Sequence, residues 1–141
     1  MAYILDSGFV YAQLNGKDDW HQRVSEVTLA AEREAIFLPI PAITEISFLL
    51  QRDLGIESVA DFVETLADTS VILEVPTPED YVRSSHILRK YNDANIDFVN
   101  ACIVAMAERL NITKILTVDR RHFGIFRPKH CDSFEILPET L

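Results

Sequence analysis

The chain has 141 residues, 48% of them hydrophobic, so one domain spanning residues 1–141 can bury a core without disulfides or a structural metal. Its formal net charge of -9 argues, by itself, against a nucleic-acid partner, because phosphate binding usually shows as a basic excess. Cys102 and Cys131 form no CxxC pair, no apolar run reaches membrane-spanning length, and the N-terminus meets Asp6 too early for a signal peptide, so a soluble protein in a reducing, cytoplasmic setting is expected.

In chain order, Tyr3-Ile4-Leu5 reads as a buried strand ended by a turn at Asp6-Ser7-Gly8. A short helix from Phe9 to Leu14, a loop through Asn15-Gly16-Lys17-Asp18 and an amphipathic helix from Asp19 to Glu34 follow. Ile36-Phe37-Leu38 is a second strand. Pro39 and Pro41 stop it, and Pro41 suits the first turn of a helix that Gly55 closes. Ile56 to Ala67 is predicted helical and Val71 to Val75 a third strand, ended by Pro76 and Pro78. A helix from Pro78 to Lys90, a polar loop from Tyr91 to Ile96, and a long helix from Phe98 to Leu110 capped by Asp97 come next. Ile115 to Val118 is a fourth strand, and Phe134 to Leu137 a fifth at the sheet edge. Strands alternating with helices predict a three-layer α/β/α domain with a mostly parallel sheet of four to five strands.

Most of the 22 acids are ordinary surface residues, but three sit in hydrophobic sequence. Asp6 ends the first strand, Asp119 follows the fourth, and Glu45 lies inside the apolar stretch Ala42 to Phe48. A parallel sheet puts strand C-termini and the following helix N-termini on one edge, so these acids and the Asp97 end of the long helix should meet there. Two carboxylates at about 4 Å repel by roughly 4 kcal/mol at an effective dielectric near 20. A divalent cation offsets that repulsion, and an oxygen-only ligand set favours Mg2+ or Mn2+ over zinc. Such an ion suits phosphodiester hydrolysis, with a water activated by it as nucleophile. Plainer accounts stand beside this one. Asp6 and Asp119 could be turn acids and Asp97 only a helix cap, whereas a buried, unpaired Glu45 is harder to explain structurally. Ser7 and Thr117 would place hydroxyls beside Asp6 and Asp119, as donors to them or merely as turn and strand residues. His21 and His86 lie on expected surface helices and receive no catalytic role.

The charge is uneven. Arg120, Arg121, Arg127 and Lys129, with His122 and His130 between them, form the densest basic stretch, either a solvated loop or an RNA-backbone track beside the acids. The chain has no Gly-rich phosphate loop and no GxGxxG, which removes the usual nucleotide cradles.

The carboxylate order, with Leu5-Asp6-Ser7-Gly8-Phe9, Thr44-Glu45-Ile46, Tyr91-Asn92-Asp93, Phe98-Val99-Asn100-Ala101, Ala105 to Leu110 and Ile115 to Phe123, resembles the PIN-domain family, especially toxin ribonucleases of the VapC type. The resemblance implies a Mg2+- or Mn2+-dependent endoribonuclease that is often dimeric and is held by a small antitoxin protein. It makes Asp6, Glu45 and Asp119 metal-site acids. Position 100 departs from the pattern, because the residue before Ala101 is usually a metal-binding Asp and here is Asn100. Two explanations stay open: natural divergence with Asp97 partly substituting, or an inactivating Asp-to-Asn replacement. A catalytically inactive module that binds RNA or a protein partner is the alternative function.

Overall fold

The computed structural model describes residues 1–140. Strands β1 (Ala2–Leu5), β2 (Ala35–Pro39), β3 (Ile72–Glu74), β4 (Lys114–Leu116) and β5 (Glu135–Leu137) form one sheet in the order β3-β2-β1-β4-β5. All four pairings are parallel. The connecting helices are α1 (Ser7–Leu14), α2 (His21–Ala30), α3 (Ile40–Leu54), α4 (Ile56–Leu66), α5 (Pro78–Lys90), α6 (Phe98–Leu110) and α7 (Arg120–Phe123).

Alternation along the strands builds the three layers, since successive side chains point to opposite faces. Ile4 and Ile115 join Ile103, Met106 and Phe126 on the α6 side. Leu5 and Leu116 join Phe9, Ile46, Leu50 and Phe62 on the other. Helix α6 is buried at every position from Asn100 to Ala107, which explains why that stretch is apolar all round rather than amphipathic. Two ion pairs tie it to α5. Arg83 makes a two-pronged contact with Glu108 at 2.7 and 3.0 Å, and Arg109 Nε lies 2.9 Å from Asp80 Oδ2. Both pairs join residues too far apart in sequence for a local pattern to reveal them.

The expected elements form, with shifted ends. Ser7 and Gly8 are the first turn of α1 rather than a separate turn, with Asp6 as N-cap. Helix α2 is shorter than expected at both ends: it starts late because the Asp18 side chain accepts from the Trp20 amide at 2.8 Å, making a turn where helix was predicted, and residues 31–34 form turns beyond Ala30. The basic stretch opens with a helical turn, α7, rather than a loop. Cys102 and Cys131 are free thiols, and burial pushes the Cys102 thiol up to about 11, which leaves it unreactive. Among the described residues no helix is long and apolar enough to cross a membrane.

The strand order fixes where chemistry can sit. From β1 the chain moves outward on one side through β2 and β3, then returns to the other side for β4 and β5. The order therefore switches between β1 and β4, where Leu5 pairs with Leu116. Such switch points open a crevice at the strand C-termini. The next residues are Asp6 on one strand and Thr117, Val118 and Asp119 on the other.

Candidate active site at the strand switch point

Asp6 is only 5% exposed, and its amide donates to the Leu116 carbonyl at 2.9 Å, so the sheet itself fixes its backbone. Its carboxylate accepts from the Thr117 hydroxyl at 2.7 Å. Burial pushes the Asp6 carboxyl up to about 7, against the Thr117 and Ser7 hydrogen bonds, which lower it, and Glu45 and Asp119 raise it further. Asp6 therefore feels both of the other acids.

Glu45 reaches this point from α3. Pro39 ends β2 and caps the helix, and the Ser7 hydroxyl donates to Glu45 Oε1, which sets that carboxylate beside the start of α1. Asp119 caps α7. Its amide donates to Thr117 Oγ1 at 2.9 Å, and its Oδ1 accepts from the His122 amide at 3.1 Å. His122 Nδ1 lies 2.8 Å from Asp119 Oδ2. Thr117, fully buried, thus donates to one acid and accepts from the main chain of the other.

Asn100 and Asp97 form a separate pair. They make a reciprocal capping box at the start of α6, with the Asp97 amide donating to Asn100 Oδ1 at 3.1 Å and the Asn100 amide to Asp97 Oδ1 at 2.9 Å. Among the described residues, neither bonds to Asp6, Glu45 or Asp119. The hydrogen bonding therefore joins Asp6, Ser7, Glu45, Thr117, Asp119 and His122, and it leaves Asn100, 7% exposed, to its cap. Among the described residues no three His, Cys, Asp or Glu side chains close into a ready cage for an ion.

The basic residues divide by what they touch. Arg120 Nη1 donates to the carbonyls of Ile136 and Pro138 at 3.0 and 2.9 Å, and Arg127 Nη1 to those of Gly124 and Phe126 at 3.0 and 2.8 Å. The Arg120 guanidinium holds the C-terminal main chain, and the Arg127 guanidinium bonds to carbonyls of its own turn. Arg121 is exposed and pairs with no acid among the described residues. The Lys129 amide donates to Glu108 at 2.8 Å while its side chain lines a cleft with Arg83 and His86. His122 is the contact that sequence reasoning missed. Its signal was an Asp followed three positions later by His at a strand end, a spacing that one helical turn converts into a pair.

Three comparisons relate the chain and its fold to known proteins. The PIN-domain model matches residues 3–125, a span that includes Asp6, Glu45, Asn100, Asp119 and His122 and leaves out Arg127 and Lys129. The chain is similar to Ribonuclease VapC26 of Mycobacterium tuberculosis, with 26% identity over 135 residues, covering 96% of this chain and 99% of that protein. Its fold matches that of Mycobacterium tuberculosis VapC20, described as a Sarcin-Ricin loop cleaving toxin, with TM-score 0.74 and 19% identity over 80% of this chain and 86% of that one. It also matches the DNA-bound VapBC of Salmonella typhimurium, with TM-score 0.69 and 12% identity over 96% of each chain. With a family match over most of its length and a parallel sheet whose switch point is flanked by acids, the chain belongs to the PIN-domain family.

Proposed function

We propose that this chain is a divalent-metal-dependent endoribonuclease, the toxin of a toxin–antitoxin pair, hydrolysing RNA phosphodiesters at the β1/β4 switch point. The observation that carries the reading is the gathering of acids at the switch point: Asp6 is buried and bonded to Thr117, which also receives the Asp119 amide, and the adjoining Ser7 hydroxyl holds Glu45, so that burial and both charges raise the proton affinity of Asp6. A site that concentrates negative charge in this way favours a cation. All its donors are oxygens, which fits Mg2+ or Mn2+. The absence of a closed three-acid cage is compatible with Mg2+, which keeps several waters and needs only one or two carboxylates.

Asp6, Glu45, Asp119 and the Asn100 carbonyl oxygen are the groups assigned to the ion, with Asp97 at the rim. Bound there, a divalent ion supplies charge stabilisation to the phosphodiester and lowers the pKa of an attacking water. The protein's part is orientation. Thr117 aims Asp6, Ser7 aims Glu45, and the helical turn after β4 aims Asp119. The relatives' names, a ribonuclease, a loop-cleaving toxin and a VapBC complex, support RNA as substrate and an antitoxin protein as partner. A homodimer and a cytoplasmic location complete the proposal.

Titrated Mn2+ with matched RNA and DNA strands tests it. Cleavage of RNA alone, abolished by a chelator, is the expected result. Asn100 favours a second reading, a PIN module that has lost catalysis and binds RNA or protein, because an amide brings no charge to the ion. Specific RNA or antitoxin binding with no cleavage by either the present chain or its Asn100→Asp variant would select that reading.

For RNA binding, Arg121 and Lys129 carry the proposal, because the Arg120 and Arg127 guanidiniums are engaged with main-chain carbonyls. Arg121→Ala should weaken binding across sequences and flatten its log-log salt dependence by about 0.7, the loss of one single-strand phosphate contact. Arg120→Ala should chiefly lower the melting temperature. An unchanged salt slope in Arg121→Ala would remove Arg121 from the interface.

A further inference from the structure

We propose that His122 is a positioning residue that holds the Asp119 carboxylate in the orientation in which it takes the divalent ion; this rests on the metal-dependent reading above. Asp119 needs such a holder. It lies past the end of β4, its side chain is 31% exposed, and nothing in the sheet ladder fixes its side-chain torsions. Two hydrogen bonds set its main chain and one oxygen: its amide to Thr117 Oγ1 at 2.9 Å, and the His122 amide to Oδ1 at 3.1 Å. Both survive replacement of the imidazole. The second oxygen, Oδ2, is set by the ring alone, through Nδ1 at 2.8 Å.

The ring is itself restrained. His122 stands one residue before Phe123, which is buried in the core cluster on the α6 side, so the turn that carries the imidazole is anchored to the hydrophobic core. Donation from Nδ1–H to Asp119 also selects the tautomer and directs Nε2 away from the carboxylate. A carboxylate held at both oxygens keeps one lone pair on each for another partner, whereas a freely rotating one loses entropy when it takes a ligand. Groups that orient metal-binding side chains from behind typically change metal affinity by about 10- to 100-fold when removed.

Two substitutions separate positioning from bulk. His122→Ala removes the ring donor and keeps the backbone bond to Oδ1. His122→Asn puts an amide N–H near the place of Nδ1 and restores the donor. The primary measurement is Mn2+ affinity of the purified protein without RNA, followed by the Mn2+ concentration for half-maximal cleavage, kcat and KM for RNA, and the metal-free melting temperature. His122→Ala should weaken Mn2+ binding about tenfold and raise the half-maximal Mn2+ concentration in step. Part of the lost kcat should return at saturating Mn2+, with KM for RNA moving less than metal affinity. His122→Asn should recover most of the Mn2+ affinity, and the two variants should melt alike without metal. Unaltered Mn2+ affinity in His122→Ala, or an Asn variant no better than the Ala variant, overturns the proposal. If neither the present chain nor Asn100→Asp binds Mn2+ at all, the metal-dependent reading falls and takes this one with it, a pattern distinct from normal binding that His122→Ala leaves untouched.

Discussion

Asn100→Asp is expected to raise RNA cleavage about 100-fold or more at a given Mn2+ concentration, equivalent to roughly 2.7 kcal/mol of transition-state stabilisation. The substitution fits the local structure. Asn100 Oδ1 accepts from the Asp97 amide, and a carboxylate can keep that bond with one oxygen while offering the other, now charged, to the ion. Position 100 is also the third residue of α6, where a negative charge gains up to about 1 kcal/mol from the helix terminus. Against that gain stands repulsion from the other acids in the metal-free protein, so the fold without metal should be slightly less stable near neutral pH. Metal binding to the folded state should reverse the loss. The measurements are cleavage against titrated Mn2+ and melting temperature with and without the ion. Equal cleavage by both forms, with the same metal-induced shift in melting, would show that position 100 is no ligand.

The second large effect concerns Asp6, where removing a charge should stabilise the protein and silence it together. The Asp6 carboxyl is pushed from its ordinary 3.8 up to about 7 by burial, with contributions from Glu45 and Asp119. Below about pH 4 both the folded and the unfolded chain hold this proton, and the group contributes nothing. As pH rises from about 4 to 7 the unfolded chain releases the proton first, so the folded state binds more protons and loses stability. Above pH 7 the full cost, on the order of 4 kcal/mol, is present. Asp6→Asn keeps an acceptor for the Thr117 hydroxyl and carries no charge. It should raise the metal-free melting temperature at pH 8 by about 10 °C, with little gain at pH 4. The same variant should lose Mn2+-induced stabilisation and cleavage. Thermal melts at the two pH values decide it, and a destabilised variant at both would mean that the Asp6 charge is already balanced in the folded protein.

The sheet and most helices were legible because their signals are local. Alternating strands, Pro39 and Pro41, Gly55 and the Asp97 cap each act through a few neighbouring residues, and Gly55 takes the positive φ of 94° that ends α3. The acids were legible for a different reason, since Asp6, Glu45 and Asp119 stand in apolar sequence that a surface charge would not occupy. What escaped depended on side-chain bonds to the main chain, which a periodic pattern does not register. The start of α2 was misread because the Asp18 side chain competes for a main-chain amide that the helix pattern assigned to the helix. Within the basic stretch, Arg120 bonds to carbonyls of the C-terminal segment and Arg127 to carbonyls of its own turn, and such main-chain acceptors have no side-chain signature. Helix α7 was missed because four residues are too few for periodicity, and the side chain that starts it belongs to an acid already assigned to the site.

Thr117 carries a consequence for how this site is dissected. One hydroxyl serves both strands, giving its proton to Asp6 and its lone pair to the Asp119 amide. A substitution at Asp6 frees the hydroxyl that also receives the Asp119 amide, and the Asp119 charge in turn raises the Asp6 carboxyl, so the two positions are coupled rather than two independent ligands. Single replacements of Asp6 and Asp119 will each report part of the same loss, and their sum will exceed what the double replacement removes. Two acids near opposite ends of the sequence meet at a single oxygen atom.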